Sequence, residues 1–306
     1  MRRWAGGVLA FAALVVSAWL FGGAAAPTPR FALLIGNQKY AEAVGPLKNP
    51  HNDIAIIKTA LLKAGFRDED IKVVPDADRV AMLEAFDRFA SDVGEAGPGA
   101  ISFFYYSGHG AANDRRDNYL IPVDVPELMA SGFWHRSISL RGLIDRLKTD
   151  APQAKHFIIF DACRNTLKLR EPGTRSLIQP KGFVPVADIP GGVLIAFATA
   201  EGELASDVGA RAGPYASALA DEIIKPGVEA FTVFRNVQIR LLETARQQPW
   251  MSNGPMGAFY FAGRPEEQPQ PARREEAAPT VAAREPPREA PPTASTAARG
   301  TPLRDP

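Results

Sequence analysis

Short apolar runs alternate with segments of helical periodicity along most of the chain. The apolar runs, of the type found in strands buried on both faces, occur at residues 31–36, 71–75, 100–110, 155–163, 192–199 and 257–263. Helical spacing of the apolar residues occurs at residues 52–66, 79–93, 139–148, 214–224 and 233–247. Gly65 is suited to end the first of these helices and Ser139 to cap the third. The alternation predicts an α/β fold with a mostly parallel central sheet and helices on both faces.

The first 26 residues follow a different pattern from the rest of the chain. Arg2 and Arg3 precede an apolar run from Val8 to Phe21, and small residues follow up to Ala26. This is the plan of a secretory signal peptide, whereas an uncleaved membrane anchor is the alternative because the run approaches the length that spans a bilayer. Both alternatives place the folded part outside the cytoplasm, either periplasmic or secreted, or anchored to the inner membrane.

The last part of the chain, residues 264–306, is rich in proline, alanine, arginine and glutamate and contains no aromatic residue. Such a composition buries too little apolar surface to offset the entropy of the chain, so we expect a disordered tail. Its acidic and basic residues balance, which argues against a polybasic membrane anchor. A linker, a spacer and a partner-binding segment all remain open for it.

Overall composition limits the classes of partner. The chain has 306 residues, 46% of them hydrophobic, and a formal net charge of +1. This is enough apolar material for one large core or two small ones. A near-neutral balance does not support a nucleic-acid partner, and we expect contact with a membrane only through an uncleaved N-terminal anchor.

Polar residues close the third and fourth predicted strands. The third strand ends with Ser107, His109 and Gly110, and the fourth ends with Asp161 and Cys163. Residues two apart on an extended strand project to the same side. If the two strands are neighbours, His109 and Cys163 face each other across one crevice, as a cysteine nucleophile and its base would.

Each of these residues also has a structural interpretation. Cys163 is the single cysteine, so no intramolecular disulfide forms, and a free cysteine is often simply buried. His109 stands between two glycines, a setting that also suits a turn. Asp161 raises a separate question, because a negative charge beside a thiol disfavours the thiolate.

The motifs YYSGHG, NYLIPVD and DACRN, in that order, resemble those of the caspase-like cysteine peptidases, the clan of caspases, metacaspases and their bacterial relatives. The likeness is closest to the bacterial orthocaspase group and extends over residues 31–261. It implies a three-layer caspase-like α/β fold. The implied division is a peptidase domain at residues 27–263, composed of a large-subunit-like part at 27–170, a linker at 171–190 and a small-subunit-like part at 191–263.

The resemblance also implies roles for individual residues. Cys163 would be the nucleophile and His109 the general base and acid, with the backbone amides of Gly110 and Cys163 as the oxyanion hole. Three further residues, Asp53, Ser107 and Asp161, would line the pocket for the residue before the scissile bond. Asp161 would then pair with a basic residue of the substrate rather than serve the thiol. The alternatives are a helix N-terminal acid for Asp53 and a loop-orienting acid for Asp161.

The sequence thus predicts an exported cysteine endopeptidase that cleaves a polypeptide substrate after arginine or lysine and needs no cofactor. The first alternative is a catalytically quiet interaction module tethered at the membrane or in the periplasm. A small-molecule hydrolase is a weaker alternative, because no G-x-S-x-G motif is present. Oligomeric state is not predicted.

Two regulatory features of this clan stay open in the sequence. Many metacaspases need calcium, but the spacing of Asp114, Asp117 and Asp124 does not match a calcium loop. We therefore predict no metal site. Four basic residues lie in the linker or just before it, and they suit self-cleavage and an ordinary solvated loop equally well: Lys168, Arg170, Arg175 and Lys181.

Overall fold

The computed structural model describes residues 28–125, 130–163, 169–170, 177–178, 183–199, 212–245 and 247–264. The chain divides into two compact units, Met1–Glu266 and Glu267–Pro306, and all described residues lie in the first. The predicted signal or anchor at residues 1–26, half of the linker and the tail beyond Arg264 lie outside the described residues. Within the described part, no helix is both long enough and apolar enough to cross a membrane.

Ten strands are described. In chain order they are β1 (Arg30–Gly36), β2 (Ile71–Pro75), β3 (Ile101–Ala112), β4 (Asn118–Leu120), β5 (Ile138–Ser139), β6 (Lys155–Cys163), β7 (Leu169–Arg170), β8 (Leu177–Ile178), β9 (Val193–Phe197) and β10 (Trp250–Asn253). The described helices are α1 (Pro50–Lys63), α2 (Arg79–Glu95), α3 (Ala130–Arg136), α4 (Leu140–Asp150), α5 (Pro214–Ile223) and α6 (Ala230–Ala245).

The central sheet has the strand order β10-β9-β6-β3-β1-β2. All neighbours are parallel except β10, which runs antiparallel to β9. The end of β3 also pairs with β4, which pairs with β5, and β7 and β8 form a separate two-stranded ribbon. The mostly parallel sheet predicted from the sequence is confirmed.

Helices cover both faces of this sheet. One face packs against α1, α5 and α6, and the other packs against α2 and α4. Alternate residues of each central strand point to opposite faces, as the period of two requires: Phe103 and Tyr105 join the first core and Phe104 and Tyr106 the second. These three layers are the α/β architecture that the sequence predicted.

Two helix boundaries follow the predicted end signals. Helix α1 ends at Lys63, and Gly65 follows with φ of +89°, the left-handed conformation that glycine adopts without steric cost. Helix α4 begins at Leu140, and the Ser139 hydroxyl accepts a hydrogen bond from the Gly142 amide.

The strand predicted at residues 257–263 is wrong. This segment makes a single bridge, between Tyr260 and Glu229, and the last strand is instead β10, seven residues earlier in the chain. The alternation that suggested a strand arises because Phe259 and Phe261 both insert into the core beside Phe157. An extended segment can bury alternate side chains in this way without joining the sheet.

Candidate active site

Strands β3 and β6 bring the predicted site residues together. They are parallel neighbours, and their register pairs His109 with Cys163 and Ser107 with Asp161. β3 continues to Ala112, so His109 lies within the strand and not in a turn. The structure describes the backbone of Cys163, whereas its side chain lies outside the described part.

The glycines on either side of His109 are explained by close packing. A Cβ atom at Gly108 would lie 2.6 Å from the Tyr106 hydroxyl and 2.8 Å from the Tyr40 hydroxyl. A Cβ atom at Gly110 would overlap the ring of Phe183. The pattern G-H-G therefore indicates crowding around a strand histidine and not a bend in the chain.

The loop between β1 and α1 makes two contacts with His109. His109 Nε2 lies 2.7 Å from the carbonyl oxygen of Gly45. The backbone amide of His109 donates to the Tyr40 hydroxyl at 2.9 Å, and the two rings are 4.4 Å apart at their centroids. His109 is fully buried, and the loop covers its ring.

The contact with Gly45 selects one tautomer of the imidazole. A carbonyl oxygen can only accept a hydrogen bond, so Nε2 must carry the proton that it donates to Gly45. In the neutral ring Nδ1 is then the basic nitrogen. A histidine held in this way can take up a proton at Nδ1 while Nε2 keeps its partner.

Asp53 joins α1, β3 and α5 through its carboxylate. Oδ2 accepts from the Ser107 hydroxyl at 2.8 Å, and Oδ1 accepts from the amide of Gly213, the residue that precedes α5, at 2.6 Å. Asp53 stands in the first turn of its helix, where the helix dipole also favours an acid. It is buried, and both oxygens turn to neighbouring elements.

Asp161 is the second buried carboxylate on the same face of the sheet. Its Oδ2 accepts from the Tyr105 hydroxyl at 2.7 Å. Burial, and then the charges of Asp161 and Asp53, hold the pKa of Tyr105 well above its ordinary value. Burial and the charge of Asp161 do the same for the pKa of Tyr215 on α5. Both tyrosines thus remain neutral beside the two carboxylates, and Tyr105 donates to one of them.

The structure therefore groups Asp53 with Ser107 and Asp161 with Tyr105 below the pair formed by His109 and Cys163. Gly110 is adjacent on β3, where it pairs with Leu120 of β4. All of this lies at the carboxyl ends of the parallel strands, the usual place for a site in an open α/β sheet.

Four contributors were not found from the sequence: Tyr40, Gly45, Tyr105 and Gly213. Tyr105 could have been predicted, because it lies two residues before Ser107 and therefore on the same face of the strand. The Gly45 carbonyl and the Gly213 amide are backbone groups with no sequence signal. Tyr40 meets His109 across 69 positions of chain.

Two of the three acids considered for calcium, Asp117 and Asp124, make separate contacts. Asp117 pairs with Asn113 in a turn, while Asp124 accepts from the Arg79 amide. In the described residues no group of three or more His, Cys, Asp or Glu side chains is placed to hold a metal ion.

Comparison with known proteins gives the context for this geometry. Over 152 residues the chain is 29% identical to metacaspase-9 of Arabidopsis thaliana. The matched part is 44% of this chain and 43% of that protein, so it spans less than half of the relative. The model of the caspase domain, Peptidase C14, matches residues 29–260, which is most of the chain. The closeness to bacterial orthocaspases stays a prediction. The chain belongs to the caspase-domain family of peptidases, Peptidase C14.

Proposed function

We propose that the chain is an exported cysteine endopeptidase that cleaves polypeptides after arginine or lysine, with Cys163 and His109 as its catalytic dyad. The observation that carries this proposal is the register of β3 and β6, which sets His109 opposite Cys163 and Ser107 opposite Asp161. One pair supplies a nucleophile and a base, and the other belongs to a buried acidic cluster on the same two strands.

The chemistry follows from the tautomer of His109. Nδ1 takes the proton of the Cys163 thiol as the sulfur attacks the scissile carbonyl carbon. The same proton then passes to the leaving amine as the acyl-enzyme forms. Water hydrolyses the thioester by the same steps in reverse, with His109 again as base and then acid. The amides of Gly110 and Cys163 are the proposed donors to the oxyanion.

Substrate choice is assigned to Asp53 and Asp161, with Ser107 beside them. Two carboxylates that are removed from water favour a cationic ligand, because an opposite charge offsets their desolvation. The planar guanidinium of arginine can engage carboxylates bidentately, which makes it the preferred ligand, with lysine second.

Export is proposed from the N-terminal pattern of residues 1–26. A periplasmic or secreted protein, or one anchored to the inner membrane, agrees with both interpretations of that segment. The proposal involves no cofactor, because thiolate and imidazolium carry the chemistry.

Covalent labelling separates this proposal from the interaction module. The full chain is treated with a peptidyl electrophile that has arginine in the position before the reactive group. We expect one adduct per chain, located at Cys163 by mass spectrometry, and none in Cys163→Ala. Since the chain has a single cysteine, iodoacetamide labelling after unfolding gives the matched control for thiol content. No adduct in the folded wild type would favour the interaction module.

A further inference from the structure

The groups that hold His109 lie on a loop that is held partly by apolar packing and partly by polar contacts. This loop covers residues 37–49, between β1 and α1. It carries both Tyr40 and Gly45, whose contacts with His109 are described above. Residues 41–43 of the loop are exposed, whereas Tyr40, Val44 and Leu47 are buried in an apolar cluster. Polar contacts hold residues 38 and 39 at its beginning.

Asp76, directly after β2, is a side-chain anchor for the beginning of the loop. Its Oδ1 accepts from the amides of Gln38 and Lys39 at 3.0 and 2.9 Å, immediately before Tyr40 in the chain. Its Oδ2 lies 2.9 Å from Nε2 of His51, in the first turn of α1. One carboxylate therefore fixes the beginning of the loop and contacts the element that follows its end.

The loop then transmits this position to Gly45. The Gln38 carbonyl accepts from the Leu47 amide at 3.0 Å, and the Ala41 carbonyl accepts from the Gly45 amide at 3.0 Å. These bonds fold residues 38–47 back on themselves. The position of the Gly45 carbonyl beside His109 thus depends on where residues 38 and 39 are held.

The backbone at Asp76 favours a different residue from the one present. Its φ is +49°, in the left-handed region that glycine and asparagine tolerate best. Partial burial alone would raise the pKa of its carboxyl. The amides of Gln38 and Lys39, together with His51, outweigh that effect, and the pKa of Asp76 lies below its usual value. The carboxylate, and not the backbone, accounts for aspartate here.

We propose that Asp76 is a positioning residue for His109: by fixing the loop at Gln38 and Lys39, it places the Gly45 carbonyl that holds Nε2. This inference rests on the proposed function, because it assigns His109 as the base. It adds a residue that touches neither the substrate nor the catalytic pair. Asp76 follows β2, whereas His109 and Cys163 lie on β3 and β6.

Two substitutions separate positioning from folding. Asp76→Gly removes the carboxylate but suits the left-handed backbone, and Asn37 still holds Ala77 through a hydrogen bond from the Ala77 amide at 2.9 Å. Asp76→Asn keeps an oxygen that accepts from the two amides. Asp188→Gly is the matched control, since Asp188 also has a left-handed φ, of +53°, and precedes β9, which lies next to the edge strand β10 on the other side of the sheet.

Steady-state hydrolysis of an arginine peptide gives the main result. Asp76→Gly is expected to lower kcat by about 10- to 100-fold while KM stays within about twofold, because the pocket of Asp53 and Asp161 is untouched. Asp76→Asn should recover kcat to within about fivefold of wild type, and Asp188→Gly should leave it unchanged. Wild-type kcat in Asp76→Gly, or an equal loss in Asp188→Gly, would overturn the inference.

A spectroscopic readout keeps this test apart from the proposed function. The ¹⁵N shifts of His109 report which ring nitrogen carries the proton, with or without turnover. We expect protonated Nε2 in wild type and a mixture of tautomers in Asp76→Gly. A silent wild type with this tautomer change would refute the peptidase and keep the positioning. Unchanged shifts in Asp76→Gly would refute the positioning, whatever the activity.

Discussion

At the residue scale, His109 has one ring nitrogen committed to a carbonyl and therefore one nitrogen with which to accept a proton. The Gly45 oxygen, at 2.7 Å from Nε2, can fix the tautomer and the ring plane of His109, as a carboxylate does for the histidine of a catalytic triad. Unlike a carboxylate, it carries no formal charge, so it gives the imidazolium less electrostatic stabilisation.

Asp161 has its role at the same scale. A carboxylate two residues before the thiol on one strand disfavours the thiolate if it acts on the thiol. Its described donor is the Tyr105 hydroxyl, on the neighbouring strand, and Asp53 lies on the same face. This arrangement favours the interpretation that Asp161 acts on the substrate cation.

Asp161→Asn tests that assignment. It keeps the shape and an oxygen that can accept from Tyr105, but it removes the charge. We expect kcat/KM for an arginine peptide to fall roughly 30- to 5000-fold, which corresponds to the roughly 2–5 kcal/mol of a broken desolvated charge pair. The rate of Cys163 alkylation by neutral iodoacetamide should not fall.

The control for this variant is Asp145→Asn, on the exposed face of α4, which should leave both rates at wild-type values. An Asp161→Asn protein that still cleaves after arginine at the wild-type rate would contradict the pocket assignment.

At the scale of elements, the pairing of β3 and β6 sets the positions of His109 and Cys163. The amino end of the pair holds a buried histidine, His156, whose Nε2 lies 3.0 Å from the Ala151 carbonyl. Nε2 must donate to that oxygen, so Nδ1 accepts from the Ser102 hydroxyl at 2.7 Å. In the neutral ring both nitrogens therefore have a partner.

The burial of His156 makes stability depend on pH. Burial lowers the pKa of His156 to about 4 from 6.5, so the unfolded chain binds an additional proton between those values. The contribution of His156 to the free energy of unfolding is therefore complete above pH 6.5. The free energy of unfolding falls by up to about 3 kcal/mol as the pH drops from 6.5 to 4. Urea unfolding at several pH values measures this slope.

His156→Gln should flatten that part of the slope, and His135→Gln, at an exposed site on α3, should not. Equal slopes in wild type and His156→Gln would show that another group titrates there.

The elements also show what the sequence could and could not predict. Continuous apolar runs identified β3 and β6, and a period of 3.6 identified α1. The same rule failed at residues 257–263, where Phe259 and Phe261 alternate without a neighbouring strand. It gave no sign of the loop contacts of Tyr40, Gly45 and Asp76, because these depend on where distant segments meet.

At the scale of the whole molecule, the candidate site is assembled from segments that are far apart in the chain. The contacts of Asp53 reach from α1 to the residue before α5, over 160 positions. The helical layer of α1, α5 and α6 therefore contributes to the proposed pocket as well as to the core. A fragment of the domain that ends before Gly213 would lack the amide that donates to Asp53. The proposed pocket therefore requires the later part of the domain.

The measurement that tests the account most directly is hydrolysis of two fluorogenic peptides, identical except for arginine or aspartate before the cleaved bond. Both are incubated with the full chain, with and without calcium, and with Cys163→Ala. The account predicts cleavage of the arginine peptide alone, abolished by Cys163→Ala, and the two calcium conditions show whether the activity needs this ion. Cleavage after aspartate, or arginine cleavage that persists in Cys163→Ala, would contradict it.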